Sequence, residues 1–186
     1  MSRFVLDNLP LVGLNLIERQ RLGDDRGFLE RLFCADELAV AGWHQPVAQI
    51  NHSFTARRGT VRGMHYQQPP NAEMKLVTCI RGEVWDVAID LRKDSHTFLH
   101  WHAEILSAEN NRALLIPEGF AHGFQTLSDD VTLLYCHSAA HHPDAEAALN
   151  ARDPILAIKW PLDISERSPK DLMHPFIESS FKGIRL

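Results

Sequence analysis

Between residues 75 and 135 short apolar runs recur with turn residues between them, and this spacing constrains the fold more than any other feature. Residues 75–80 end at Arg81-Gly82-Glu83, a hairpin-type break. Residues 84–91 alternate strongly, residues 97–106 and 113–116 follow, and residues 131–135 close the series. Short strands at regular spacing predict a sandwich or barrel of antiparallel strands. Upstream, residues 11–17 read as a first strand and residues 28–33 as a second, joined by the turn Gly23-Asp24-Asp25-Arg26-Gly27. Residues 36–42 read as a short helix with an acidic first turn and a glycine stop. Residues 47–54 read as a strand with Gln49, Asn51 and Ser53 on one polar face. The tail from Asp144 onward is less regular, with short helical stretches. No repeat, low-complexity segment or linker interrupts the chain, so a single domain over residues 1–186 is expected.

Composition sets the class. With 45% apolar and 23% charged residues the chain reads as a globular protein, and its formal net charge of -5 argues against nucleic acid as a partner. No apolar run reaches the roughly 20 residues of a membrane span. Met1-Ser2-Arg3-Phe4 carries no hydrophobic signal core. Cys34, Cys79 and Cys136 are odd in number and widely spaced, which predicts reduced thiols and a cytoplasmic location.

The stretch Thr60-Val61-Arg62-Gly63-Met64-His65-Tyr66-Gln67-Gln68-Pro69-Pro70, with Lys75 just beyond, holds the densest chemistry. Arg62 offers a planar cationic fork and His65 a group that exchanges protons near neutral pH. Gly63 permits a close backbone approach, and the two prolines force a turn or an edge. Taken alone, His65 reads as a surface histidine at a strand end and Lys75 as a solvated strand lysine. Tyr135 closes an apolar strand, where a tyrosine is commonly core with a satisfied hydroxyl.

Pro117-x-Gly119-x-x-His122 resembles the second half of the cupin signature, and Gly63-x-His65 stands where the first half belongs. The H-x-H pair that holds a metal in many cupins is missing, since Tyr66 and Gln67 follow His65. A metal-free barrel is therefore expected. The alternative ligand set is His100-x-His102-x-Glu104, three positions on one strand face, set against a solvated outer face. His141-His142 before Pro143 reads as an exposed turn. A metal-dependent cupin enzyme is the rival class that these residues leave open.

Further motifs fall in one order: Asp25-Arg26-Gly27-Phe28 with Glu30, Gln49-x-Asn51-His52-Ser53, Val61 to Pro69, and Lys75-Leu76-Val77. After them come Asp86 to Arg92, Ile116-Pro117-x-Gly119-Phe120-Ala121-His122-Gly123-Phe124, Asp153-Pro154, Ile158-x-Trp160-Pro161 and Ser168-x-Lys170-Asp171. In this order and spacing they resemble the dTDP-4-dehydrorhamnose 3,5-epimerase family from about residue 11 to residue 175. The resemblance implies an all-β double-stranded β-helix (cupin or jelly roll) with short helices, mostly in the C-terminal segment. It implies a homodimer, no cofactor, and a dTDP-linked 4-keto-6-deoxy sugar as substrate. It makes His65 the base, oriented by Asp171, makes Tyr135 the acid on the opposite face of the sugar, and puts Lys75 beside the C4 oxygen. By the same match Arg26 and Glu30 hold the nucleotide from the partner subunit. Gln49, Asn51, Arg62 and His122 line the pocket, with Lys170 near it. The chain departs from the family at Ala140-His141, where an aromatic pair is common. It departs again at Asn150-Ala151-Arg152, where a tryptophan is frequent, and in the spacing of Arg26 and Glu30, one residue shorter than usual.

The implied chemistry suits these side chains. A 4-keto sugar has acidic C–H bonds at C3 and C5, and inversion needs a base on one face and a donor on the other. Negative charge develops on O4, where a cation stabilises the transition state selectively. An epimerase of the same fold that inverts C3 alone fits the same residues.

Overall fold

The computed structural model describes residues 2–186; Met1, the first residue of the expected domain, lies outside the described residues. The chain opens with β1 (Phe4–Asn8), β2 (Asn15–Arg19), β3 (Arg21–Asp24) and β4 (Gly27–Glu30), followed by the helix α1 (Ala35–Leu38). Then come β5 (Gln49–Thr55), β6 (Val61–Gln67), β7 (Lys75–Arg81), β8 (Glu83–Asp90), β9 (Trp101–Ser107), β10 (Arg112–Ile116), β11 (Phe120–Thr126) and β12 (Val131–His137). A short β13 (Glu146–Ala148) and the helix α2 (Pro169–Leu172) complete the elements. Two sheets result, with strand orders β1-β2-β10-β7-β12-β5 and β13-β6-β11-β8-β9, and β3 and β4 make a separate hairpin. Within both sheets and the hairpin, neighbouring strands pair antiparallel. The expected all-β jelly roll is thus observed.

Strand parity decides where the core lies. On β8, Val84 and Ala88 point to the other sheet, where they meet Val77, Leu114 and Leu133, with Phe124 of β11 packed beside them. Val87 and Ile89 point the opposite way, under a C-terminal tail that supplies Leu149, Leu156 and Ile184. On the far side, Leu38 and Trp43 from the α1 segment cover Ile17, Leu76 and Leu115. Both sheets are therefore covered on two faces at their centre, and β8, alternating in sequence, buries residues of both parities.

Four expectations shift. The strand expected over 97–106 begins at Trp101, because residues 95–100 close turns with Leu99 at φ +62°. The first strand, expected over 11–17, begins at Asn15, because Gly13 adopts φ +84° and residues 9–14 close a tight loop; β1 precedes it. The second, expected over 28–33, ends at Glu30 where its partner Arg21 ends, and Phe33 turns to pack edge-on to Trp43 at 5.3 Å. The break at Arg81-Gly82-Glu83 is no hairpin: β7 and β8 belong to different sheets. Gly82 (φ +74°) turns the chain across the core, closely packed against Ser128 and Val131. The helix at 36–42 forms as α1 plus a 3-10 turn ending on Gly42 at φ +94°. β13 had no sequence signal beyond three small or charged residues.

One irregularity shapes the site. β6 pairs with β11 through His65↔His122 and Arg62↔Phe124, so β6 fits one extra residue into that interval. In a regular strand, residues 62 and 65 would face opposite sides. The bulge, with Gly63 at φ +128°, brings both to one cavity. A Cβ on Gly63 would stand 2.6 Å from Gly123 Cα and 2.9 Å from the His122 carbonyl oxygen. Gly63→Ala is expected to cost about 1–3 kcal/mol, a fall in Tm of at least about 2 °C by calorimetry. An unchanged melting temperature would mean that the two strands part more easily than this contact implies.

Candidate active site

Side chains from both sheets enclose a cavity of about 350 Å³. The five-stranded sheet contributes Arg62, His65, His122 and Phe124, and the six-stranded sheet Asn51, Ser53, Lys75, Tyr135 and His137. A second cavity adjoins it, sharing Arg62 and His65 and extending past Glu146, Lys170 and Asp171.

His65 Nε2–H donates to Asp171 Oδ1 at 2.7 Å. Asp171 arrives on α2, whose N-cap Ser168 Oγ accepts from the Asp171 backbone N–H at 3.0 Å. Burial raises the affinity of Asp171 for a proton, but the hydrogen bond and charge of His65, with help from Ser168 and His174, outweigh it and hold the carboxyl below its ordinary value. An anionic carboxylate only accepts, so in neutral His65 the proton sits on Nε2 and Nδ1 is the free base.

Lys75 is no solvated strand lysine: it is 8% exposed. Its Nζ lies 3.1 Å from Glu73 Oε1 and donates to the His65 carbonyl oxygen at 3.5 Å. Tyr135 Oη is 3.2 Å from Ser53 Oγ, and burial pushes its pKa above the usual phenol value. His122 Nε2–H donates to both oxygens of Asp86, at 3.0 and 2.9 Å. Burial pushes the Asp86 carboxyl up, partly offset by His122. Arg62 donates to the Phe54 carbonyl oxygen at 3.1 Å from the rim. Lys170 stands at the second cavity, paired with Glu146 Oε1 at 2.6 Å.

Three expected binding residues stand outside both cavities. Gln49 spans two neighbours, donating to Asn51 Oδ1 (3.0 Å) and accepting from His141 N–H (2.9 Å). Arg26 occupies the exposed β3–β4 tip and pairs with Asp24 at 2.6 Å. Glu30 turns inward instead, accepting from Arg19 Nε at 3.0 Å with Arg21 Nε at 3.4 Å.

The sequence reading missed Glu73, Asp86, His137 and His174. Asp86 shares parity with Val84 and Ala88, and His137 with Leu133 and Tyr135; a charged or titratable residue in an inward-facing register was the available signal. His174 Nε2–H donates to the same Asp171 oxygen as His65, at 3.0 Å. Its distance from β6 in sequence left no signal. Of the alternative metal set, His102 bonds Glu104 at 2.8 Å and Glu104 lies 3.8 Å from Arg112, an ion-pair ladder along β9, while His100 is exposed ahead of the strand. His141 and His142 are exposed, as expected.

Comparison with known proteins identifies the family. The sequence pattern of the dTDP-4-dehydrorhamnose 3,5-epimerase family matches residues 8–179. A dTDP-4-dehydrorhamnose 3,5-epimerase of Pseudomonas aeruginosa is 46% identical over 166 residues, covering 88% of this chain and 90% of the relative. The solved structure of a dTDP-6-deoxy-D-glucose-3,5-epimerase from Legionella pneumophila, in complex with dTDP-4-keto-L-rhamnose, superposes with a TM-score of 0.91 at 37% identity, covering 98% of each chain. A 3'-monoepimerase from Streptomyces bikiniensis, in complex with dTDP-quinovose, gives 0.84 at 34% identity, covering 90% of this chain and 85% of that one. The chain belongs to the dTDP-4-dehydrorhamnose 3,5-epimerase family.

Proposed function

We propose that the protein inverts C3 and C5 of a dTDP-linked 4-keto-6-deoxy sugar, in the making of dTDP-L-rhamnose or a related deoxysugar. The observation that carries this reading is the pairing across one cavity of a carboxylate-oriented imidazole, His65–Asp171, with a buried phenol, Tyr135. Nδ1 of His65 takes the proton from C3 or C5. Asp171 stabilises the imidazolium that forms, and a positioned base of this kind contributes about 10²–10⁴-fold. Lys75, nearly dry, faces the charge growing on O4, where one such donor contributes about 2.7–4 kcal/mol. Tyr135 returns a proton to the other face. Asn51, Arg62 and His122 line the space for the sugar and phosphates, with Lys170 and Gln49 at its margin.

The test is proton NMR of the protein with dTDP-4-keto-6-deoxyglucose in D2O, after dialysis against EDTA. Deuterium is expected at both carbons, with inverted product at an undiminished rate. Asp171 Oδ1 accepts N–H donors from His65 and His174, and these three side chains lie close enough together to share a divalent ion. Activity lost on dialysis and restored by one divalent cation would revive the metal-dependent reading. Exchange at C3 alone would favour the second reading, a C3 epimerase, which the likeness to the 3'-monoepimerase supports.

The working unit we infer is a homodimer of single-domain chains. Strands from distant parts of the sequence interleave in the larger sheet, β2 beside β10 and β5 beside β12, which favours one domain. The edge strand β5 exposes Ile50 and Phe54, and the β3–β4 hairpin exposes Phe28, Leu29 and Arg26. Exposed apolar edges call for a cover, and a second copy would bring Arg26 to its neighbour's nucleotide. Light scattering at micromolar concentration is expected to give twice the chain mass of 21.1 kDa; an active monomer would refute it. All three cysteines are free thiols, in keeping with a cytoplasmic location, and no helix among the described residues is long and apolar enough to cross a membrane.

A further inference from the structure

Across the cavity from His65 and Asp171, the six-stranded sheet carries a second imidazole–carboxylate pair. His137 follows Tyr135 by two residues on β12, so the two side chains leave the same face of the strand. Their rings lie 6.1 Å apart at an interplanar angle of 27°. His137 Nδ1–H donates to Glu73 Oε2 at 2.8 Å, while the other oxygen of Glu73 holds Lys75. Burial pushes the Glu73 carboxyl up, but the His137 hydrogen bond and the Lys75 charge outweigh it and keep it below its ordinary value. Glu73 is therefore an anion that only accepts, and it fixes the His137 tautomer with the proton on Nδ1. Nε2 is left to accept a long hydrogen bond from Asn51 Nδ2–H at 3.4 Å. Asn51, Tyr135 and His137 line the same cavity.

A structural ion pair does not account for this arrangement. Lys75 alone neutralises Glu73. The second partner is a titratable ring with one nitrogen held by an anion and the other turned to the cavity, where it accepts from Asn51, a construction like that of His65 on Asp171. Tyr135, for its part, is made a weaker acid by burial. The wall that must return a proton to the sugar thus has a phenol made a weaker acid by burial, and beside it an imidazole, a general acid–base group, whose ring lines the same cavity.

We propose that His137, oriented by Glu73, is a further catalytic residue of the epimerisation, a second proton donor on the Tyr135 side of the cavity. The proposal rests on the epimerase reading above. In the step, the Nε2–H bond of the imidazolium breaks and a C–H bond forms at the enolate carbon, on the face turned away from His65. The C4 ketone is restored, His137 is left neutral and Glu73 keeps its charge. His65 releases the proton it took to solvent, and His137 regains one from solvent, so no other reactant is consumed. The substrate has two acidic carbons, and this wall then has two proton-bearing groups to serve them.

The experiment compares deuterium wash-in with inversion, carbon by carbon, in the wild-type protein and in His137→Gln, His137→Thr and Glu73→Gln. Wash-in reports enolate formation by His65, and inversion reports delivery from the opposite wall. In both His137 variants, inversion at C3 or C5 is expected to fall about 10-fold or more relative to wash-in at that carbon. Glu73→Gln should move the same ratio in the same direction. A wild-type protein with no wash-in overturns the epimerase reading and this proposal with it. An active wild type whose ratio is unchanged in the His137 variants overturns this proposal alone. Nitrogen NMR of the wild-type histidines gives a check that needs no variant to fold. Addition of dTDP-4-keto-6-deoxyglucose is expected to shift His137 Nε2 while Nδ1 stays protonated, and an Nε2 that does not respond overturns the assignment.

Discussion

His65→Ala is expected to lower kcat by about 10²–10⁴-fold while dTDP still binds. The base is lost, but Arg62 at the rim and Lys170 beyond it remain to meet the phosphates. The fold should survive. His65 is half-buried, and Asp171 keeps the His174 N–H donor at 3.0 Å and its place on α2. Steady-state turnover read by NMR, beside calorimetric titration with dTDP, separates the two effects. Turnover near the wild-type rate would remove His65 as the base. A parallel loss of dTDP affinity would instead mean that the His65 side chain orders the cavity as a whole.

Tyr135→Phe is expected to divide two quantities that rise and fall together in the native protein. His65, Asp171 and Lys75 still form the enolate, so deuterium should still wash into the sugar. Fully inverted product should fall about 10²-fold, because a donor on the far face is missing. Phenylalanine keeps the ring between His122 and His137, each 6.1 Å away, and the change removes only the bond to Ser53, which lies at the cavity surface. If exchange and inversion decline by the same factor, Tyr135 assists enolate formation or binding, and the assignment of the two faces is wrong.

The sequence made the strands legible wherever one residue in two was apolar or where turn residues bounded an apolar run. It also brought together His65, Lys75, His122 and Tyr135, which the fold places around one cavity. It did poorly wherever a side chain's partner lies on another element. Glu73 looked like a loop acid ahead of β7, yet it holds Lys75 and His137 at once. Asp86 looked like an alternating polar position, yet it is fully buried against His122. Glu30, expected at the nucleotide, pairs with Arg19 of another strand, a contact that no local pattern announces. The turn at Gly82 looked like a hairpin because a tight reversal has the same residues whether the next strand pairs or crosses the core.

The bond between His65 and Asp171 spans 106 positions of the chain. A ribosome releases His65 long before it reaches the segment that carries Asp171, and that same segment roofs the outer face of the five-stranded sheet with Ile177, Phe181 and Ile184. The nascent protein can therefore assemble its strands with a base that lacks its orienting carboxylate. On the proposed mechanism, competence for proton transfer arrives only when this segment docks, so turnover itself reports that a late-made part of the fold has found its place.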